Sequence, residues 1–259
     1  MTDKHQTYPE YKNSDVEWLG KIPEHWIATS LKYIAKIRYG IGEPPKYRKK
    51  GVALIRATNV CSGRISNKDI VFVDPNDIPT NRVIWLKKGE IIIVRSGAGT
   101  GDSSIISEEY EGSIAGFDMV VTPVKCLPPF LGHALLSTYI RKNQIDLVKT
   151  RAAQPHLNSE ELGKCFFLLP PMAEQVEISN FIDHETAKID TLIEKQQLLI
   201  KLLKEKRQIV EFISRLSRQF DQLKKKTDCQ IKLLKERRTV MISAAVTGKV
   251  DLRNWKNGI

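Results

Sequence analysis

The side chains best suited to chemistry in this sequence are cations, amides and hydroxyls gathered in four short segments. The four segments contain Lys46, Tyr47, Arg48, Lys49 and Lys50; Arg56, Thr58 and Asn59; Arg95, Ser96 and Thr100; and Arg151, Gln154 and His156. Arginine can pair with guanine through two hydrogen bonds and glutamine or asparagine with adenine, whereas lysine, serine and threonine hold phosphates. Each segment alone is more typical of a solvated surface loop. Together, in a basic chain, they favour a surface that binds nucleic acid.

A glycine-rich turn, Gly97-Ala98-Gly99-Thr100-Gly101, follows a predicted strand and invites comparison with nucleotide-binding loops. The dinucleotide fingerprint needs its third glycine where Asp102 stands, and the sequence contains no Gly-Lys-Ser/Thr of a phosphate loop. We therefore interpret the turn as a place where backbone approaches DNA or a partner closely.

Two further motifs fail as signatures of an enzyme. Leu127-Pro128-Pro129-Phe130 is similar to the Asp/Asn-Pro-Pro-Phe/Tyr motif of amino-methyltransferases, but Leu127 cannot accept a hydrogen bond from a target amine. Asp74 and Glu90 lack the following Glu-x-Lys of a metal-dependent nuclease. The five histidines are dispersed, and no Ser/His/Asp set stands out. These failures predict a binding protein without catalytic residues.

The four cysteines, Cys61, Cys126, Cys165 and Cys229, are far apart and none belongs to a Cys-x-x-Cys pair. This spacing indicates neither a zinc site nor a disulfide framework, and it is typical of a reducing compartment. The chain begins without an apolar signal core and has no run of 18 apolar residues, which excludes a spanning helix. We expect a cytoplasmic protein without a metal or a membrane contact.

The positive charge is concentrated in the last part of the chain. Residues 1–185 carry 23 Lys+Arg and 22 Asp+Glu, whereas residues 186–259 carry 18 and 8, a net charge of +10. Such a segment favours polyanions through counterion release. A lysine-rich helix whose charge only keeps it solvated explains the composition equally well, and charge alone leaves both interpretations open.

The same region has the pattern of a long helix. Residues 172–247 contain neither glycine nor proline. Eight apolar residues fit one heptad register that only Lys195 and Lys206 interrupt, which is typical of a coiled coil. These residues, predicted to face a partner helix, are Leu192, Leu199, Leu202, Ile209, Ile213, Leu216, Phe220 and Leu223.

An internal repeat lies within this helical region. Residues 200–207 recur at 231–238 with seven of eight residues identical, and the heptad register weakens between the copies at 224–228. A lone helix of this length cannot bury its apolar stripe. We expect it to pair with the helix of a second chain or to fold back near 224–228.

The first 170 residues predict a compact domain of mixed structure. Short apolar runs bounded by turn residues predict strands, and two periodic stretches at 129–141 and 159–162 predict helices, the second opened by the capping box of Asn158 and Glu161. A further helix is predicted at 30–39. The predicted strands are 52–55, 70–73, 90–95, 119–123 and 166–169. The fold class is α+β, with a mixed domain at 1–170, a helical coiled-coil region at 171–250 and a tail at 251–259.

Several motifs, in this order, resemble the specificity subunit of Type I restriction–modification systems. They are Trp18-Leu19-Gly20-x-Ile22-Pro23-x-x-Trp26, Lys87-Lys88-Gly89-Glu90 through Gly97, Pro170-Pro171-x-x-Glu174-Gln175, Thr186–Ile193, Leu233–Arg238 and Val246-Thr247-Gly248. The resemblance implies a target recognition domain followed by a conserved helical region. It implies a subunit without catalysis that reads double-stranded DNA and docks two methyltransferase subunits.

In that family the chemistry belongs to partner subunits. The methyltransferase subunits bind S-adenosylmethionine and methylate adenine, and a restriction subunit adds translocation and cleavage driven by ATP with Mg²⁺. The resemblance therefore implies no cofactor on this chain.

The sequence departs from the usual family pattern, in which two recognition domains each read half of a split target. One such domain is evident here, as in a half-subunit form, and the helical region is longer by about the 31-residue repeat. We hypothesise that two chains form a homodimer through antiparallel helices and read an inverted-repeat target. The alternative is that the region folds into its own hairpin and the chain acts beside a full-length subunit.

A competing interpretation is a helical adaptor without enzymatic activity, whose basic coiled coil binds nucleic acid or a membrane surface. The stripe lacks the aromatic face of an interfacial helix, which argues against the membrane.

Overall fold

A computed structural model describes residues 7–43, 45–78, 80–149, 155–209 and 214–251, and side chains within these ranges except those of 149, 204–209 and 214–218. The strands are β1 (Tyr11–Asn13), β2 (Lys21–Pro23), β3 (Ile27–Ser30), β4 (Ala35–Tyr39), β5 (Val52–Ile55), β6 (Val60–Cys61), β7 (Arg64–Ile65), β8 (Val71–Val73), β9 (Ile91–Ile93), β10 (Ser103–Ile105), β11 (Ile114–Ala115), β12 (Met119–Pro123) and β13 (Phe166–Leu169). The helices are α1 (Leu31–Ile34), α2 (Pro128–Leu136), α3 (Thr138–Ile140), α4 (Asp146–Lys149), α5 (Ser159–Lys164), α6 (Met172–Ile209) and α7 (Ser214–Val246), with a π-helical turn at Arg141–Ile145.

A four-stranded antiparallel sheet, in the order β10-β9-β12-β4, forms the centre of the first part of the chain. Its middle strands are apolar on both faces because both faces are covered. Ile91 and Ile93 pack in the cluster that includes the helices, whereas Ile92 and Val94 pack in a second cluster on the opposite face. We call residues 7–170 the mixed module.

A smaller sheet, in the order β11-β5-β8, pairs β5 parallel with β11 and antiparallel with β8. Leu54 and Ile114 face each other in this sheet and share a third apolar cluster with Ile41, Val73 and Ile78. A separate ladder pairs β13 with β3, so the end of the mixed module returns to its beginning. The mixed α+β class is therefore confirmed.

The two long helices pack against each other as an antiparallel hairpin, which we call the helical hairpin. The beginning of α6 and the end of α7 both lie against the mixed module, since Ile178 of α6 and Val246 of α7 share one buried cluster with Trp26 and other residues of that module. The reversal expected near 224–228 is wrong, because α7 runs unbroken through that segment while α6 ends at Ile209. Three successive lysines favour helix, so loss of the heptad register did not end it.

The predicted apolar stripe does not form the seam of the hairpin in its described part. Leu192, Leu199, Leu202 and Leu223 are 40–45% exposed, and Phe220 is half-buried. Ile209 and Leu216 lie in helices, but their side chains fall outside the described set, and Ile213 lies outside the described residues. The stripe is therefore available for pairing outside the hairpin, and a homodimer stays a prediction.

The helix expected at 30–39 is wrong. Only the single turn α1 is helical, and β4 follows it at once, pairing with β12 in register from Ala35 opposite Pro123 to Tyr39 opposite Met119. Strand pairing in the sheet outweighs the weak helical preference of this segment. The capping box at the start of α5 is confirmed, since the Glu161 N–H donates to Asn158 Oδ1 at 2.8 Å and the Asn158 N–H donates to Glu161 Oε2 at 3.0 Å.

No helix within the described ranges combines the length and the apolar character that crossing a membrane requires.

Candidate nucleic-acid interface

A cleft of about 260 Å³ on the mixed module joins three of the four polar segments that the sequence singles out. Tyr47 comes from the basic segment, Arg56 and Thr58 follow β5, and Ser96 follows β9. The fourth segment adjoins the cleft, because Ser96 pairs with His156 in an isolated antiparallel bridge. Segments up to about 110 positions apart in the chain therefore form one surface.

Arg95 is held at the edge of this surface by two aromatic rings. Its guanidinium carbon lies 4.0 Å from the ring centre of Phe117 and 4.7 Å from that of Tyr39. Its backbone N–H donates to Asp118 Oδ1 at 3.2 Å. Its Nε is buried and has no hydrogen-bond partner within the described residues. These two cation–π contacts restrict the guanidinium, so Arg95 presents oriented donors.

Asp118 is a buried acid in the lining of the cleft. The side chain is buried, and burial raises its pKa to about 6, against the opposing effects of the Arg95 N–H, the Arg95 charge and the Ala57 N–H. The charged form therefore costs stability at neutral pH, and the contacts to Arg95 and Ala57 offset part of that cost.

We expect Asp118→Asn to stabilise the protein by about 1–2 kcal/mol at pH 7. The upper bound from the pKa shift is about 3 kcal/mol, and the amide keeps only one of two acceptor oxygens. Because the folded-state pKa is raised, protonation favours the folded state. The cost is full above pH 6 and disappears as the pH falls towards the 3.8 of a free side chain. Urea denaturation should show the two proteins converging over that window, and a constant difference would contradict the assignment.

The basic segment itself is mostly solvated. Lys46, Lys49 and Lys50 are exposed, whereas Arg48 pairs with Asp77 at 2.8 Å. Arg56 lies 5.4 Å from the ring centre of Tyr47 and donates through Nη2 to the carbonyl oxygen of Asp69 at 2.6 Å. The three lysines are free to meet phosphates, while the two arginines are already oriented by protein groups.

The sequence motifs of the two ends meet at one buried carboxylate, Glu174, in the first turn of α6. Glu174 accepts hydrogen bonds from Trp26 Nε1 at 2.9 Å and from the Tyr8 hydroxyl at 3.1 Å, and it lies 2.5 Å from His25 Nε2. Gly248, just past α7, packs over Trp26. We call this group the motif node, because it joins the Trp-containing, Glu-Gln and Thr-Gly motifs.

A family model called the Type I restriction modification DNA specificity domain matches residues 46–202, which include the cleft and the first part of α6. The match covers more than half of the chain. The chain belongs to this family.

Curated relatives in the family are similar over about 70% of this chain. The EcoKI specificity subunit of Escherichia coli strain K12 is 27% identical over 189 residues, 70% of this chain and 40% of the relative. The EcoBI specificity subunit of Escherichia coli is 27% identical over 180 residues, 68% of this chain and 38% of the relative. The chain thus spans about two fifths of the length of the curated relatives it matches.

Two solved specificity subunits are similar to this chain over part of its length. The HsdS subunit from Thermoanaerobacter tengcongensis has a TM-score of 0.48 at 20% identity, covering 74% of this chain and 48% of that one. The S subunit from M. genitalium has a TM-score of 0.45 at 14% identity, covering 70% and 45%.

Two of the predicted DNA contacts are corrected by their burial. Asn59 is 0% exposed, and its amide donates to the carbonyl oxygens of Ser66 and Lys68 at 3.2 and 3.0 Å. Thr100 is also 0% exposed, and its hydroxyl donates to the Gly97 carbonyl oxygen at 2.7 Å. Both polar side chains hold turns of this specificity domain, so neither can reach a base. Arg151 and Gln154 lie outside the described residues.

Three residues of the site escaped the sequence analysis: Tyr39, Phe117 and Asp118. The signal present was a turn, Gly116-Phe117-Asp118, directly before the apolar run at 119–123. A Cβ at Gly116 would lie 2.8 Å from the Ile55 carbonyl oxygen, so the backbone must approach β5 closely there. Within the described ranges, no cluster of His, Cys, Asp and Glu is arranged to hold a metal ion.

Proposed function

We propose that this chain is the DNA-specificity subunit of a Type I restriction–modification complex, reading one half of a bipartite double-stranded DNA target. The observation that carries the proposal is the cleft, where separate polar segments of a specificity-family domain converge and where Phe117, one of the two rings that pack on Arg95, lines the wall. An oriented guanidinium can pair bidentately with guanine, and the exposed lysines beside it can hold phosphates.

The helical hairpin has the features of a docking element in this scheme. Its exposed leucines form an apolar stripe, and apolar stripes of this kind pack against helices of other chains. Methyltransferase subunits, a restriction subunit and a second copy of this chain are the partners we assign to the complex. S-adenosylmethionine, ATP and Mg²⁺ would bind those partner subunits, and this chain would contribute recognition without catalysis in the cytoplasm.

Sequencing of methylated adenines tests the proposal. The chain is expressed with its methyltransferase subunit, and genomic DNA is compared with that of cells that express the methyltransferase subunit alone. We expect methylation at one bipartite sequence that requires this chain. Methylation without sequence preference, or no methylation in either strain while the subunits co-purify, would exclude a specificity role.

Arg95→Ala should lower methylation of that sequence by about 10- to 100-fold, because one bidentate base contact is worth about 1–3 kcal/mol. Arg237→Ala, which removes an exposed arginine of α7, is the matched control and should leave methylation within about twofold of wild type. Initial rates on a duplex with the mapped site measure both. Equal rates for Arg95→Ala and wild type would remove Arg95 from the interface.

A further inference from the structure

A second groove, of about 720 Å³, lies between the mixed module and the helical hairpin; we call it the junction groove. Five cationic side chains from both parts of the chain line it. They are Arg64 of β7, Arg141 and Lys142 of the π-helical turn, and Lys235 and Arg238 of α7.

Two carboxylates in the groove orient the three arginines. Asp190 pairs with Arg64 and, at 3.3 Å, with Arg238, while Asp102 pairs with Arg141 at 2.7 Å. Lys142 and Lys235 are exposed and form no ion pair with any described residue. Three of the five positive charges therefore remain uncompensated by the acids that line the groove.

We propose that the junction groove binds the phosphodiester backbone of duplex DNA next to the bases that the cleft meets. This inference rests on the proposed function and deepens it by naming a phosphate site on the helical hairpin. Excess positive charge in a concave surface concentrates polyanions, and ammonium groups without partners are suited to phosphate oxygens. An apolar helix would be a poor occupant, because charged side chains line much of the groove and would lose their hydration against it.

One connection of the chain, between β9 and β10, contains both a residue of this groove and Arg95. The Val94 N–H donates to the Asp102 carbonyl oxygen at 2.8 Å, and the residue after Val94 is Arg95. A groove residue and the clamped arginine thus belong to the same turn, between β9 and β10. A duplex whose bases meet Arg95 would carry its neighbouring phosphates towards Lys142 and Lys235, which joins the hairpin charge to recognition.

The test compares two double charge reversals in the full chain. Lys142→Glu with Lys235→Glu removes both unpaired groove cations, and Lys225→Glu with Lys226→Glu makes the same change at exposed positions of α7 that do not line the groove. Binding of a fluorescent duplex with the mapped site is measured by anisotropy from about 50 to 200 mM salt, the range in which counterion release dominates. Circular dichroism confirms that both variants are folded.

We expect the groove variant to bind the duplex about 30-fold more weakly at about 0.15 M salt, with a salt slope smaller by about 2. The control variant should stay within about threefold of wild type with an unchanged slope. Equal losses in the two variants, or no loss in either, would overturn the groove site.

Other occupants give different results. Binding of ATP alone that depends on the two groove lysines, with unchanged duplex affinity, would assign the groove to a free nucleotide and overturn the proposal. Unchanged duplex affinity together with loss of the methyltransferase subunit on co-purification would assign it to a protein. Sequence-specific methylation by the wild-type complex tests the proposed function separately, so either can fail without the other.

Discussion

Glu174→Ala should destabilise the protein by about 4 kcal/mol, the largest effect of any single substitution considered. Glu174 is 6% exposed, and its carboxylate receives hydrogen bonds from Trp26 Nε1 and the Tyr8 hydroxyl, with His25 Nε2 at 2.5 Å. Alanine would leave the two buried donors, Trp26 Nε1 and the Tyr8 hydroxyl, without a partner, and each buried unpaired donor costs about 1–3 kcal/mol. Urea denaturation followed by circular dichroism measures the change.

The matched control is Glu177→Ala, one turn further along α6. Glu177 Oε2 is buried and has no hydrogen-bond partner within the described residues, and burial, Glu174 and Asp251 raise its pKa. Its charge therefore opposes folding at neutral pH, and this cost falls as the pH falls. We expect alanine at 177 to change stability by less than about 1 kcal/mol. A similar loss at both positions would mean that Glu174 acts only through its negative charge near the start of α6 and not through its hydrogen bonds.

The motif node gives a structural reason for the family motifs: residues of three separate motifs contact one another in the folded chain. Trp26 and Glu174 are 148 positions apart, and a single sequence does not show that two distant motifs share one hydrogen bond. Local signals served well where the chemistry is local, as in the capping box of Asn158 and Glu161. They failed at 30–39, where the partner strand β12 decides the structure.

The candidate site shows the same division. Arg95 and the cationic segments could be predicted as candidate DNA contacts, because the charge of a side chain can be read from the sequence alone. The aromatic rings that clamp Arg95 were missed, since the packing of Phe117 and Tyr39 against it depends on sheet geometry. Burial reversed the expectation for Asn59, whose amide is a good reader of adenine in principle but here holds a turn. Heptad spacing predicted a helix with an apolar stripe, but the spacing does not determine which other helix the stripe contacts.

Gly248→Ala should destabilise the protein by about 3 kcal/mol, because the substitution combines backbone strain with a steric clash. Gly248 has φ of +70°, and a Cβ there would lie 2.5 Å from Pro23 Cγ and 3.1 Å from Trp26 Cζ3. Its N–H donates to the Ala245 carbonyl oxygen at 3.3 Å and the Lys249 N–H donates to that of Ala244 at 3.1 Å, so glycine ends α7 in the left-handed conformation. Thermal and urea denaturation measure the loss.

Gly20→Ala separates strain from clash, since Gly20 has the same φ of +70° and a Cβ there would meet no atom within 4 Å. We expect it to cost about 1 kcal/mol, the strain alone. The excess at Gly248 then measures how tightly the end of α7 is seated on Pro23 and Trp26. Because that seat fixes the hairpin on the mixed module, Gly248→Ala should also weaken duplex binding by the junction groove, whereas Gly20→Ala should not. Equal destabilisation by the two substitutions would show that the end of α7 is not held against the motif node.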